Sequence, residues 1–539
     1  MTAPALPASA ASAVREAARR RTFAVISHPD AGKSTLTEAL ALHARVIQEA
    51  GAIHGKAGRK STVSDWMDME KARGISISSA ALQFGYGPPG QQVVVNLLDT
   101  PGHADFSEDT YRVLAAVDCA VMLLDAAKGL EPQTMKLFDV CRHRGIPVLT
   151  VVNKWDRPGL EALALLDEIR DRTGLEPTPL TWPVGIAGDF RGVLDRRSGE
   201  FVRFLRTAGG ATVAPEVRVS ADAAFAQEGD AWTTAVEECE LLDAMGQVHD
   251  QAGFLSGRTT PVLFGSAVLN FGVRQLLDTL VELAPPPAAR DDEKGTPRPV
   301  EAPFSAFVFK IQAGMDSNHR DRLAYVRVCS GVFERGTVVT HAATGRPFAT
   351  KYAQQVFGRE RSTVDVAYPG DVVGLVNAAA LRVGDTLYVE DPVVFPPIPS
   401  FAPEHFAVCR AVDSSRYKQF RRGIEQLEQE GTVQVLRSDL RGDQAPVLAA
   451  VGPMQFEVAE HRMANEFGAP VRLDRLDYSL ARLTDARWAK VLDAESGVEV
   501  LERSSDGALL ALLGGPWRLQ RVLRDHPDVV LEPLVAAAT

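Results

Sequence analysis

Four short motifs follow one another through the first half of the chain, and each begins where an apolar run that reads as a buried strand ends. The run 23–27 leads into Ser27-His28-Pro29-Asp30-Ala31-Gly32-Lys33-Ser34-Thr35. The run 93–99 closes on Asp99-Thr100-Pro101-Gly102-His103, the run 147–153 on Asn153-Lys154-Trp155-Asp156, and the run 262–264 meets Gly265-Ser266-Ala267. Amphipathic, helix-like runs fill the intervals at 35–46, 106–117, 133–144, 160–172 and 273–283. Strand and helix alternating in this way predict an α/β domain with a doubly wound, mainly parallel sheet, whose ligand loops lie at the carboxyl ends of the strands.

The chemistry of the motifs is complementary. The first fits the phosphate-loop pattern GxxxxGK[ST], with Ser27 in place of the first glycine. Its backbone N–H groups and the following helix N-terminus can face phosphates, Lys33 can reach β/γ oxygens, and Ser34 can offer its hydroxyl to Mg²⁺. Asp99 at a strand end can hold the same ion through water, and Gly102 leaves an N–H free to approach a γ-phosphate and to swing when it departs. Asp156 can accept from N1 and the exocyclic amine of guanine, a donor pair that adenine lacks. Ser266 and Ala267 can close over the base through backbone N–H groups. Alone, each motif is compatible with an ordinary turn; in this order within one alternating domain they specify a guanine-nucleotide P-loop domain. Between the first two motifs, residues 64–77 (SDWMDMEKARGISI) carry Ser76, the candidate hydroxyl that completes the Mg²⁺ shell only while a γ-phosphate is bound.

Length and composition bound the remainder. At 539 residues and about 150 per domain, three or four domains are expected. With 58 Lys+Arg against 69 Asp+Glu the net charge is −11, which excludes a basic nucleic-acid-coating protein but leaves local basic docking faces open. Five dispersed cysteines without a CxxC argue against a zinc site or a disulfide framework and fit a reducing, cytoplasmic setting. No run approaches the ~20 apolar residues of a membrane helix. The Ala/Ser-rich N-terminus superficially resembles a transit peptide but lacks a secretory apolar core, and 11–21 reads as a short basic helix feeding the first strand.

Proline-rich stretches at 285–303 and 392–403 divide the chain into 1–285, 304–391 and 404–539. The first block carries an insertion at about 183–258 with a hairpin near 193–204. The second has short Val/Phe/Tyr runs with glycine turns, expected to form a β-barrel. The third alternates strands and helices as an α+β plait.

With RGISI and DTPGH together, and with DTPGHADFSEDTYR, FVFKIQAGMDSNHRDR and PSFAPEHF, the sequence resembles the translational GTPases of the elongation factor G class, and within them the bacterial release factor three family. The likeness runs from about residue 21 to at least 467, and the family's series of GTPase domain, barrel and α+β domain ends where this chain ends. It implies a ribosome-stimulated GTPase that binds GTP/GDP with Mg²⁺ and promotes dissociation of codon-reading release factors after peptide release. Ribosomal RNA and proteins and those factors are the implied partners, with the protein as a monomer. By motif match His103 positions the attacking water, Lys33 binds phosphate, and Ser34 and Ser76 are the Mg²⁺-linked hydroxyls; Ser76 stands where many relatives have Thr. Candidate ribosome contacts are 319–322 (HRDR) and 416–422 (RYKQFRR), while Glu237 and Glu238 read as a solvated face. An elongation or ribosome-protection factor, a guanine-nucleotide switch with little hydrolysis, and an ATP-dependent small-molecule kinase are the competing readings.

Overall fold

A computed structural model describes residues 8–45, 81–101, 105, 107–207, 212–313, 322–357, 360–376, 378, 380–398, 402–437, 442 and 444–534. Helix α1 (Ala8–Ala18) lies along the start of the first domain, burying Ala13 and Ala17, and hands the chain to β1 (Arg20–Ser27). There follow α2 (Lys33–His43), β2 (Ala81–Tyr86), β3 (Val93–Asp99), α3 (Ser107–Leu114), β4 (Cys119–Asp125), α4 (Pro132–His143), β5 (Val148–Asn153) and α5 (Ala162–Thr173). Next come β6 (Glu176–Pro179) and β7 (Thr181–Val184), then an insertion of β8 (Gly192–Asp195), β9 (Glu200–Phe204), β10 (Glu216–Val219), α6 (Ala221–Glu228), α7 (Asp230–Ala244) and the short α8 (Gln251–Leu255). The chain returns through β11 (Thr259–Phe264) and α9 (Val273–Leu283).

Seven strands form one sheet in the order β2-β3-β1-β4-β5-β11-β6, parallel throughout except for the edge strand β2, which pairs antiparallel with β3. All seven residues of β4 are buried, as expected of a parallel strand covered by helices on both faces. The helix-strand rhythm of the sequence carries no signal for β2, because an antiparallel edge strand adds no helix of its own.

The insertion is a second sheet in the order β10-β9-β8-β7, and the hairpin expected near 193–204 is β8–β9. An aromatic contact binds it to the main sheet, Trp182 meeting Phe264 edge-on at 5.4 Å, while within the insertion Phe201 packs on Trp232 at 5.7 Å.

An eight-stranded antiparallel sheet built on the long strands Ser305–Ala313 and Arg322–Ser330 follows. The proline-rich stretch before it is not bare linker: Arg290–Asp291 pairs with Pro297–Arg298 around a turn in which Asp292 accepts from the N–H groups of Lys294 and Thr296 at 2.8 Å.

In the last block, α10 (Tyr417–Glu430) and α11 (Pro453–Asn465) pack on strands His405–Ala411, Gln434–Arg437, Val447–Ala450 and Val471–Leu476. A second strand-helix set, 480–534, joins the same eight-stranded sheet through Gln434–Arg437 beside Val498–Arg503. The α+β plait expected there is thus one continuous eight-stranded sheet in two strand-helix halves, with a shared apolar core of Phe406, Val408 and Leu436 against Leu501, Leu510 and Leu512.

Candidate functional site

The phosphate loop occupies the gap between β1 and α2. Asp30 and Gly32 both take positive φ, 65° and 98°. A β-carbon at Gly32 would lie 2.5 Å from Asn153 Nδ2, so the glycine is required by backbone conformation and by the approach of a neighbouring motif. The Leu36 N–H donates to Gly32 O at 2.8 Å, the first bond of α2, with Ser34 and Thr35 half-buried on that turn. His28 Nε2 lies 3.2 Å from Glu131 Oε1 beside the start of α4, so it braces the loop sideways, with Pro29 next to it.

Lys33 Nζ donates to Asp99 Oδ1 at 2.7 Å, with the two side chains only 5% and 1% exposed. This pair joins the first motif to the second across the sheet, where β1 and β3 run in parallel register and Val25 sits beside Asp99. The Thr100 hydroxyl donates to Val25 O at 2.6 Å and fixes the turn entering Pro101, whose carbonyl accepts from Thr110 Oγ1 at 3.2 Å. Asp99 Oδ2 and Ser27 Oγ are buried without a hydrogen-bond partner. Buried polar atoms of this kind are costly unless a ligand completes them, and a carboxylate oxygen and hydroxyls beside a lysine fit a hydrated cation with phosphate.

Asn153 has a role that its motif alone does not indicate. Its Nδ2 donates to Ala31 O at 2.8 Å and its Oδ1 accepts from the Ala267 N–H at 2.9 Å, so one side chain ties three motif loops together. Lys154, at φ 64°, stretches back over the phosphate loop to Asp30 O and to Asp125 Oδ2, the latter at 2.8 Å. Burial pushes the Asp125 carboxyl upward, but Lys154 and the Ala127 N–H outweigh it and hold the group below the usual aspartate range. Asp125 belongs to the site's framework and escapes a reading by motif; its only signal is position, an acid closing β4 as Asp99 closes β3.

Asp156 Oδ1 and Ser266 Oγ are likewise buried and unmatched. The expectation that Ser266 and Ala267 offer backbone N–H groups needs correction: the Ser266 N–H donates to Phe271 O at 2.9 Å, and the Ala267 N–H is held by Asn153. What this loop leaves unmatched is the Ser266 hydroxyl. Trp155, buried edge-on against Phe264 at 5.0 Å, continues through that ring to Trp182 and anchors the base loops on the insertion.

Gly102, His103 and Ser76 lie outside the described residues, as do 319–321. Arg322 bonds to Gln429 and to Leu381 O and therefore joins domains. In the other candidate docking segment, Phe420 is core, Arg421 pairs with Glu425 at 2.9 Å, and Arg422 is exposed. Glu238 is not part of a solvated face: it accepts from Trp182 Nε1 at 2.7 Å, while Glu237 is exposed. Among the described residues there is no cluster of three or more His, Cys, Asp or Glu arranged to hold a metal, and no helix long and apolar enough to cross a membrane.

Residues 18–286 match the elongation factor Tu GTP binding domain, 303–390 elongation factor G domain 2, and 395–523 the C-terminal domain of class II release factor RF3. The chain is 45% identical over 539 residues to peptide chain release factor 3 of Synechocystis sp., covering 99% of this chain and 98% of that protein. It is 46% identical over 519 residues to peptide chain release factor 3 of Gloeobacter violaceus, covering 95% and 97%. A crystal structure of a Thermus thermophilus protein shares the fold with a TM-score of 0.67 at 21% identity, over 90% of this chain and 71% of that one.

Proposed function

The chain belongs to the peptide chain release factor 3 family, translational GTPases of termination, and from that premise we propose that it engages the ribosome after peptide release and drives off the codon-reading release factor in a GTP-dependent way. The observation that carries the reading is the convergence of four strand ends on one rim of the sheet, where Ser27, Asp99, Asp156 and Ser266 each hold a buried polar atom without a hydrogen-bond partner. Ser27 and Asp99 suit the phosphate end of a nucleotide, Asp156 and Ser266 its base.

Lys33 takes the β/γ oxygens, exchanging Asp99 for phosphate. Ser34 and Ser76 with their hydroxyls and Asp99 with its carboxylate would hold Mg²⁺, which would supply charge neutralisation at the phosphates. Asp156 accepts from guanine, and Gly102 reads the γ-phosphate. His103 orients the attacking water, ordered by the ribosome rather than acting as a strong base; no motif-defined arginine supplies a built-in finger, and activators in comparable systems add up to ~10⁵-fold. Full ribosome-stimulated turnover in His103→Ala would remove that assignment.

The test is dissociation of a labelled codon-reading release factor from ribosomes stalled after peptide release, with GTP, GDP or no nucleotide. Acceleration by GTP alone is expected. Ribosome-stimulated hydrolysis without acceleration would keep the GTPase and overturn the recycling role.

A further inference from the structure

Three arginines gather where the first domain, the hairpin at 290–298 and the barrel meet. Arg327, on the long barrel strand Arg322–Ser330, bonds both oxygens of Asp118, at 2.8 and 2.7 Å, and reaches Ala116 O, just before β4 begins. Phe307 stands opposite Arg327 in the register of the two long strands. The Arg290 guanidinium lies over the Phe307 ring at 4.1 Å, with the Phe395 ring 5.7 Å from it. In the first domain, the Ala120 N–H donates to Pro147 O at 3.0 Å, which brings the turn after α4 beside the start of β4. Arg144 closes α4 on that turn, and its guanidinium lies over Tyr111 of α3 at 4.7 Å.

Charge is unevenly matched at this seam. Arg327 takes both oxygens of Asp118, whereas among the described residues the side chains of Arg144 and Arg290 make no hydrogen bond or ion pair, and the Nε of each is buried. A guanidinium without an acceptor is a costly group to bury. Burial foremost, then Arg327 and Arg144, hold Arg290 below the usual arginine range, against the opposing influence of Cys329 and Asp118. Arg144 therefore lies within electrostatic reach of Arg290. Stacking on aromatic faces holds the planes of the two guanidiniums and leaves their N–H edges open, and such edges match the oxygens of a phosphate.

We propose that Arg144 and Arg290 form a binding site for a compact phosphate-type oxyanion at the seam between the first domain and the barrel, separate from the nucleotide site. Two unmatched guanidiniums balance the charge of a phosphate dianion. An anion that reaches both buried Nε atoms has to be small, so the occupant is a free ion rather than the backbone of a polymer. Asp118 and Arg144 precede β4 and β5, whereas the nucleotide motifs follow the carboxyl ends of the strands. The ion therefore sits at the opposite edge of the sheet from the phosphate loop and ties the linker hairpin to the first domain.

The experiment is equilibrium dialysis of radiolabelled inorganic phosphate against the full chain saturated with GDP and Mg²⁺, at an ionic strength fixed with chloride. Saturable binding of one equivalent is expected. Arg144→Gln and Arg290→Gln keep a polar side chain without the charge. Each is expected to weaken phosphate binding roughly ten- to a hundred-fold while GDP affinity stays within about two-fold. Absence of saturable binding overturns the proposal. So does binding that both variants retain, which would put the ion beside GDP on the phosphate loop. A single-stranded oligoribonucleotide that displaces the label at equal phosphate concentration would identify a dock for RNA backbone and overturn the assignment to a free ion. Should Arg290→Gln fail to fold, the half-buried Arg144→Gln decides. No ribosome is present, so failure of the recycling reading leaves this outcome untouched.

Discussion

Asp156 and Gly32 show how single atoms set the site's selectivity. Replacing Asp156 by Asn puts an amide donor where the site offers an acceptor, so two charge-assisted bonds to guanine are lost. GDP binding is expected to weaken by about 1.5–3 kcal/mol, with xanthine nucleotides, whose 2-oxo group accepts, gaining in proportion. Titration with both nucleotide classes checks this; unchanged discrimination would place the base elsewhere. Gly32→Ala forces a side chain into φ 98° and against Asn153 Nδ2, at a cost of roughly 1–2 kcal/mol for the backbone alone. Nucleotide affinity and the thermal midpoint are expected to fall together, because the Asn153 clamp on Ala31 is displaced. The motif residues are legible in the sequence because phosphate and guanine demand particular atoms at short spacings. Asp125 and Asp105 are not, since their partners Lys154 and Met454 lie 29 and 349 positions away.

At the scale of elements, the alternating helices and strands are legible from apolar periodicity, whereas β2 and the second half of the C-terminal sheet depend on pairings that local pattern does not encode. Helix α10 also carries a charge that its packing disfavours. Burial raises the Glu428 carboxyl from 4.5 to about 7, against the lowering influence of Arg437 and Arg382 and with Glu425 and Asp506 adding to the rise. Its Oε1 has no hydrogen-bond partner. A carboxyl whose folded-state pKa is raised binds its proton more tightly in the folded chain. The resulting stabilisation is fully present below about pH 4.5 and is lost as pH rises through about 7. Glu428→Gln keeps the shape without the titration, so it is expected to flatten the decline in thermal midpoint between about pH 5 and about pH 8 and to exceed the wild type at the upper end. Parallel profiles for the two proteins would reject burial of Glu428 as the cause.

Across the whole molecule, the seam between the first domain and the barrel is built differently from the seam with the third. Asp371 accepts from Arg20 Nε at 2.8 Å, from Gln83 Nε2 at 2.8 Å, and from the Tyr368 N–H at 2.9 Å, while Thr22 donates to Gly370 O at 2.8 Å. Nearby, Arg327 bonds both oxygens of Asp118, at 2.8 and 2.7 Å, and reaches Ala116 O. These are buried charges with several partners each, so removing one leaves its partner unpaired in a dry interface. Asp371→Ala is accordingly expected to cost about 3–5 kcal/mol, read as a lower thermal midpoint and faster proteolysis within 285–303. The third domain is tied instead through bonds with a charge on one side only: Asp105 to the Met454 N–H, Arg112 to Glu430 O, Arg322 to Gln429 and Arg382 to Ser505 O. Loss of such a bond strands no opposite charge across the seam. Arg112→Ala is therefore expected to lower the thermal midpoint clearly less than Asp371→Ala while raising the radius of gyration in small-angle scattering, because the first domain and barrel stay joined as the third domain moves away. The two variants separate the roles of the seams: a rigid nucleotide-barrel body on one side, and on the other a weaker contact that lets the third domain move. If Arg112→Ala lowers stability as much as Asp371→Ala without expanding the molecule, the third domain is part of the rigid body and this division of roles fails.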